Sequence, residues 1–579
     1  MKANNLLASY DIFDTTLIRK CGDAQNIFYI LSKKLFPQNT ALATDFYVWR
    51  SNAESCMSSQ KEHTIEEIYN SLPNSINYHY SKKEIIKFEK EIETENLVVN
   101  NQVKNDIQNK RNAGFQICFI SDMYLDSSFL KSILIHKGCA NADDYVFVSC
   151  EHGVNKRDGG LLYDVVKKHY KGITKWFHFG DNIHSDVKNA KHKGIKAHHI
   201  NTSYSKAEKI ILEKYKDYPF QIELSILIGL QRAIRINEGG CANVSNACDL
   251  VAPIYIPYVN SVINKAEQLH IETLYFLSRD AYILFELAKV LAKKKLPNLR
   301  YLYISRKSIL PACKQYLSED NIQLTDDQRG WDSSTEDRSI ILQYLRQEKV
   351  LSNSSTIGMV DVGWRGTTRY MLNKLKIEEN DGGRIVFFYY GYQSNVIDSK
   401  KGNYIPYIKF PINYIHIKYW IELIENYFSA APHTSTIGYI RKDNMVEPLL
   451  ESNNNEEMSH VANINIEVCK RIAEYISDSS FIIFDEAFCV WGTSFLKLFD
   501  KHPNLYKLET FKDVFYYNKK FIMEVSFFRL LRYFITGSTG LPCIDELSII
   551  YSWGIKVRRR YTLHTIIPLS KFFLSKFQK

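Results

Sequence analysis

Over residues 1 to about 205, short apolar runs alternate with longer amphipathic segments, the pattern of an α/β domain on a parallel sheet. The runs Leu6–Phe13, Phe115–Ser121, Tyr145–Ser149, Trp176–Gly180 and Lys196–Ile200 predict strands. Most adjoin a polar cluster, and doubly wound sheets place their sites beyond the carboxyl ends of strands. Between the first two runs lies an insertion, about Lys20 to Asn105, with helical periodicity. Ile27, Ile30, Leu31 and Leu35 share one face; Ile85, Phe88 and Ile92 share another. Thr64 with Glu67 predicts a capping box opening a further helix. An insertion at this point would sit as a lid over the site.

A second α/β pattern begins after the charged stretch Lys206–Lys216, with strands predicted over Leu274–Leu277, Tyr301–Ile304, Ile357–Val362 and Arg384–Tyr390. The polar run Ser318–Arg338 is long enough to be a functional loop. From about Arg441 the chain reads as mostly helical and rich in Phe and Tyr. The expected domains are therefore 1–205, 206–440 and 441–579.

A hydrophobic content of 45% and a charged content of 24% are those of a globular chain able to bury a core. The formal charge of +10 suits phosphorylated substrates or an anionic membrane surface, and no recognition motif supports nucleic acid as a partner. Eleven cysteines without a C-x-x-C pair, no signal-peptide pattern and no apolar run of membrane-spanning length predict a reduced, cytoplasmic protein. At the C-terminus, Lys556-Val557-Arg558-Arg559-Arg560 precedes a segment in which Phe572, Phe573 and Phe577 alternate with lysines. Two readings stay open there: peripheral contact with the inner face of a membrane, or a helix packed on the protein with a solvated basic face.

The candidate chemistry of the first domain has four parts, in chain order. Asp11, at the end of an apolar strand, can attack phosphorus and form an aspartyl-phosphate. Ser121 ends another strand and can hold the transferring phosphoryl oxygens. Lys156 can neutralise charge on the phosphate and on Asp11. Asp181 and Asp186, with Asp11, offer hard oxygen ligands for Mg²⁺. Each part alone is a weak signal; four in order, each after its own predicted strand, are a strong one.

The segments YDIFDTT, ISDMYL, NKRDGG and FGDNIHSD resemble the haloacid-dehalogenase (HAD) superfamily over residues 1 to about 205. The resemblance implies a Rossmann-like parallel sheet, a helical C1-type cap and Mg²⁺-dependent phosphatase chemistry. Most such phosphatases carry a general acid/base Asp two residues after the nucleophile, where this chain has Phe13. Asp14, one residue further on, is the candidate for proton transfer.

In the second domain three strand ends carry anion-friendly turns. Ser278-Arg279-Asp280 offers amides and a guanidinium, and Ser305-Arg306-Lys307 offers two cations. Asp361 leads into Gly363-Trp364-Arg365-Gly366-Thr367-Thr368, whose amides and hydroxyls can wrap a phosphate. The order resembles a type I phosphoribosyltransferase, and the whole of residues 1 to about 440 looks like the two-domain phosphoribosyltransferase–phosphatase proteins of bacterial polysaccharide assembly. That resemblance implies phosphoribosyl pyrophosphate (PRPP) as donor and a glycan, lipid-linked in one reading, as acceptor. Ribofuranosyl 5-phosphate would be transferred and its 5-phosphate then removed. The usual pair of adjacent acids is here Asp361 alone. Glu422, Glu425 and His433 are candidates for the acceptor site, where a base must take the incoming hydroxyl's proton. The alternative is a phosphatase joined to a non-catalytic phosphate- or glycan-binding module.

Overall fold

A computed structural model describes residues 5–506 apart from 58–61, 74–79, 293–297, 320–337, 352–354, 394–402, 411–420, 422, 453–455, 479–484 and 502–504. The chain divides into two compact units: Met1–Pro257 with Glu474–Tyr506, and, among the described residues, Tyr258–Ala473.

Among the described residues seven strands belong to the first unit: β1 (Leu6–Tyr10), β2 (Leu17–Arg19), β3 (Leu97–Val99), β4 (Gln116–Ser121), β5 (Tyr145–Val148), β6 (Lys175–Gly180) and β7 (Lys196–His199). Five of them form a parallel sheet in the order β5-β4-β1-β6-β7, as the sequence pattern predicts. The strand order reverses between β1 and β6, so the crevice beyond their carboxyl ends is the natural ligand site of this topology. The antiparallel pair β2–β3 brackets the inserted helices Ala24–Leu35, Thr40–Cys56, Ile65–Asn70 and Lys82–Glu95.

Three of those four helices are capped at their start by a side chain: Asn39, Thr64 and Ser81. Thr64/Glu67 is a complete capping box, as is Ser81/Glu84. Ile27, Ile30, Leu31, Ile85 and Ile92 are all buried. The insertion also buries charge: Arg50 meets Glu89 at 2.7 Å, and Tyr69 donates to Glu89 at 2.5 Å.

The first unit extends past residue 205, the boundary expected from the charged stretch. Arg235 pairs with Glu208 at 2.6 Å and Asp249 at 3.0 Å, which ties the helices of 206–257 together. Trp491, fully buried, donates to Gln231 at 2.9 Å and anchors the returning helix Asp485–Lys501. Backbone contact is close as well. A Cβ on Gly229 would stand 2.3 Å from the amide nitrogen of Gly22, so helix Gln221–Asn237 needs glycine there.

In the second unit β8 (Thr273–Leu277), β9 (Asn298–Leu302), β10 (Thr356–Trp364), β11 (Arg384–Gln393) and β12 (Asn403–Phe410) form a parallel sheet in the order β12-β11-β10-β8-β9. The order reverses between β8 and β10. Strand β12 is not evident in the sequence, because Pro406 breaks its pattern; an edge strand tolerates that proline. The hairpin β13 (Thr436–Lys442) and β14 (Met445–Leu450) stands at the start of the region expected to be helical. Helix Glu456–Asp478 follows it. The basic segment 556–579 and residues 320–337 of the polar run lie outside the described residues. Among the described residues, no helix is long and apolar enough to cross a membrane.

Candidate active sites

Asp11 directly follows β1 and is 7% exposed; its amide donates to the Phe179 carbonyl on β6 at 2.9 Å. Lys156 Nζ lies 2.5 Å from Asp11 Oδ1 and 2.6 Å from Asp186 Oδ1, with its side chain 3% exposed. Asp181 follows β6 and is fixed by Thr15, whose hydroxyl donates to Asp181 Oδ1 at 3.1 Å. One oxygen from each of Asp11, Asp181 and Asp186 falls within 4.8 Å of the others. Three carboxylates against one ammonium leave an uncompensated negative charge in a mostly buried crevice. Such a donor set fits a hard divalent cation.

The electrostatics follow from that crowding. Burial pushes Asp11 well above its ordinary pKa, with Lys156 opposing and Asp186 adding to the rise. Burial, then Asp14 and Asp186, push Asp181 up to about 6. Against its own burial, Lys156 and His178 hold Asp186 below the usual carboxylate range. A bound cation would relieve the repulsion that raises Asp11 and Asp181.

Several supporting groups have weaker sequence signals. Asp122 accepts from the amides of Lys156 at 2.8 Å and Arg157 at 3.2 Å, fixing the loop that carries the lysine. It lies inside ISDMYL, next to Ser121, which ends β4 and is buried. Behind Asp186 stands His178, 3.4 Å away through Nε2, with Nδ1 at 2.8 Å from Ser9 Oγ. Burial lowers the His178 pKa, and a carboxylate only accepts, so the neutral ring donates from Nε2. Trp176 donates to the same Ser9 oxygen at 2.8 Å. Gly180 is required here, since a Cβ would come within 2.4 Å of the Asp186 side chain.

Asp14 takes a left-handed backbone, φ 55°, and its carboxylate pairs with Arg232. Arg232 also donates from Nε to the Thr202 carbonyl at 2.8 Å, and the Thr202 hydroxyl donates to the Asp14 carbonyl. The pair engages Oδ1 of Asp14, and the Asp14 side chain stays 30% exposed. Phe13, at the position where an acid is expected, packs under the Arg19 guanidinium at 4.0 Å. No local pattern in the sequence links Arg232 to Asp14, which lies over two hundred residues away.

The second unit brings its candidates together around the β8/β10 reversal. Arg279, Asp280, Arg306, Asp361 and Glu425 interact electrostatically with one another. The Ser278–Arg279 peptide is cis, and Arg279 Nε meets Asp280 at 3.1 Å. Ser278 Oγ is engaged within the protein, 3.1 Å from the Ile304 carbonyl and 3.0 Å from Thr436 Oγ1. Gly363 (φ 103°) lies near the end of β10, opposite Gly391, and Gly366 (φ 71°) with half-buried Arg365 shapes the turn that follows. Thr367 and Thr368 open helix Thr367–Glu378. His433 accepts from or donates to Tyr301 at 2.8 Å among the rings of Tyr282, Tyr301 and Tyr303, and burial lowers its pKa. That is the setting of a structural histidine. Glu422 lies outside the described residues.

Burial, then Asp280, push Asp361 up to about 7; the same two causes push Glu425 up to about 8. Each folded carboxyl then holds its proton more tightly than the unfolded chain does. The associated stability is complete below about pH 4 and is lost as pH rises through the folded pKa. Asp361→Asn removes one such loss. By calorimetry of the full chain, the variant should melt above wild type at pH 8, with the difference vanishing towards pH 4. Equal melting at pH 8 would contradict the raised pKa.

The first unit thus combines a doubly wound sheet, a helical insertion between β2 and β3, and an acid cluster with one lysine at the strand reversal. Among solved structures, YfnB of Bacillus subtilis, described as a HAD-hydrolase and solved with magnesium, matches at 14% identity and a TM-score of 0.25. The match covers 34% of this chain and 88% of that one. No family model matches the chain, and no curated protein does.

Proposed function

We propose that the first unit is a Mg²⁺-dependent phosphatase acting through an aspartyl-phosphate on Asp11. The observation that carries this reading is the buried contact of Lys156 with both Asp11 and Asp186, beside Asp181. Asp11, Asp181 and Asp186 would hold Mg²⁺, which when bound supplies positive charge against the developing charge on the phosphoryl group. An Asp11 oxygen forms the new bond to phosphorus as the ester oxygen leaves and takes a proton. Water then attacks the acyl phosphate, releasing phosphate and restoring the carboxylate. Ser121 and Lys156 bind the phosphoryl oxygens. Asp14, whose Oδ1 pairs with Arg232, transfers the proton.

For the second unit the reading is transfer of ribofuranosyl 5-phosphate from PRPP to a glycan hydroxyl, with release of pyrophosphate. Arg279 and Arg306 would bind the pyrophosphate, Asp361 the ribose, and the segment Gly363–Thr368, from the end of β10 into the next helix, the 5-phosphate. Glu425, with a pKa near the working pH, suits the base that takes the acceptor's proton. Joining the two activities has a chemical reason. Transfer from PRPP leaves a phosphate on the product, and an attached phosphatase removes it at high effective concentration.

The test is incubation of the full chain with PRPP, Mg²⁺ and a panel of glycan acceptors. Acceptor-dependent pyrophosphate release supports the transferase reading. Hydrolysis of phosphomonoesters without any such release would leave the second unit as a binding module.

A further inference from the structure

Among the described residues four arginines are buried: Arg19, Arg50, Arg232 and Arg369. Three have a carboxylate partner, namely Glu93, Glu89 and Asp14. Arg369 differs. It is 1% exposed, and its Nε and Nη1 have no hydrogen-bond partner; only Nη2 reaches the Tyr392 hydroxyl, at 3.3 Å. A buried charge without a counter-ion is costly, and the deficit is only partly offset by aromatic faces. Tyr404 lies 4.3 Å from the guanidinium carbon and Tyr392 5.5 Å.

The position of the guanidinium says what would complete it. Arg369 stands in the first turn of helix Thr367–Glu378 and folds back over the helix start. A Cβ on Gly366 would lie 3.3 Å from Arg369 Nη2 and 3.4 Å from its Cζ. Helix N–H groups, the positive end of the dipole and an unpaired guanidinium therefore converge on one place. The Tyr389 hydroxyl, also buried and without a hydrogen-bond partner, lies on the neighbouring strand, with its ring 6.0 Å from the same guanidinium. Its strand position is directly opposite Asp361. Two neighbouring buried side chains thus hold donors without an acceptor: Nε and Nη1 of Arg369 and the Tyr389 hydroxyl.

The geometry points to Arg369, with Tyr389, as the anchor for the phosphate monoester group of a sugar phosphate at the start of helix Thr367–Glu378. This rests on the transferase reading and adds to it a cation outside the loop that the sequence pattern marks. A tetrahedral dianion supplies enough oxygens to accept from the helix amides, the guanidinium and the tyrosine together, and its charge balances that of the arginine. With the phosphate held there, the rest of the sugar would extend towards Asp361.

The test is titration calorimetry on the full chain with ribose 5-phosphate and, separately, inorganic phosphate. EDTA is present, so that the three carboxylates of the first unit repel anions instead of binding them through a metal. Wild type should bind ribose 5-phosphate, and Arg369→Gln should weaken it by about tenfold or more, the scale of one lost charged contact. Tyr389→Phe should weaken it by a smaller factor. Without ligand, Arg369→Gln should melt no lower than wild type, since it removes an uncompensated charge. A merely structural aromatic cage would instead lose stability. Unchanged ribose 5-phosphate binding in Arg369→Gln, or binding of inorganic phosphate alone, overturns the assignment. If wild type binds PRPP with Mg²⁺ and Arg369→Gln binds it equally well, only the anchor fails. If wild type binds neither ribose 5-phosphate nor PRPP, the transferase reading fails as well.

Discussion

Asp11→Asn is expected to lower phosphatase turnover by about four orders of magnitude or more, the usual scale for loss of a covalent nucleophile. An amide cannot form the acyl phosphate, so no labelled phosphoenzyme should be trapped from the variant. The fold should survive the change. Burial and Asp186 both work against the charge on Asp11, so a neutral side chain there relieves a penalty in metal-free buffer. Lys156 also keeps its second partner, Asp186, at 2.6 Å. If the transferase reading holds, mass spectrometry of the Asp11→Asn reaction should find the glycoside still carrying its 5-phosphate. Turnover within tenfold of wild type would rule Asp11 out as the nucleophile.

Lys156→Ala is expected to have the largest effect on stability. The ammonium touches two buried carboxylates, and removing one partner of such a pair costs about 3–5 kcal/mol because the remaining charge is left uncompensated. Here two acids lose their cation at once, with Asp181 close by. Denaturant melts at pH 7 in EDTA should show the loss in full. The loss should shrink as pH falls towards 5, where the acids take up protons, and again when Mg²⁺ is added. Activity should not return with the stability, because the phosphoryl oxygens still lack their cation. Stability unchanged in EDTA at pH 7 would contradict the central place given to this lysine.

How far the sequence shows all this depends on the distance over which each feature is encoded. The five strands of the first sheet are legible because each is a short apolar run ending in a polar turn. Asp11 and Asp181 are legible for the same reason, since each follows a strand. Lys156 is placed by its loop, but Asp122, which fixes that loop through two amides, gives only the hint of standing next to Ser121. Arg232 gives none: it reaches Asp14 from a helix that the charged stretch at Lys206–Lys216, on composition alone, assigns to the next domain. Charge runs mark exposed surface, not domain limits, and here the run lies within the unit. Strand β12 is obscured by Pro406, and Arg369 looks like an ordinary helix-surface arginine until its burial is known.

The first unit is discontinuous along the chain, since Glu474–Tyr506 completes it. Its last helix therefore leaves the ribosome only after Tyr258–Ala473 of the second unit. At about 5–20 residues per second, that delay is on the order of ten seconds or more. Throughout it, Gln231 lacks the indole of Trp491 that will cover it. The nascent first unit thus waits with an open flank where Trp491 will be buried, a period in which a chaperone has the most to protect.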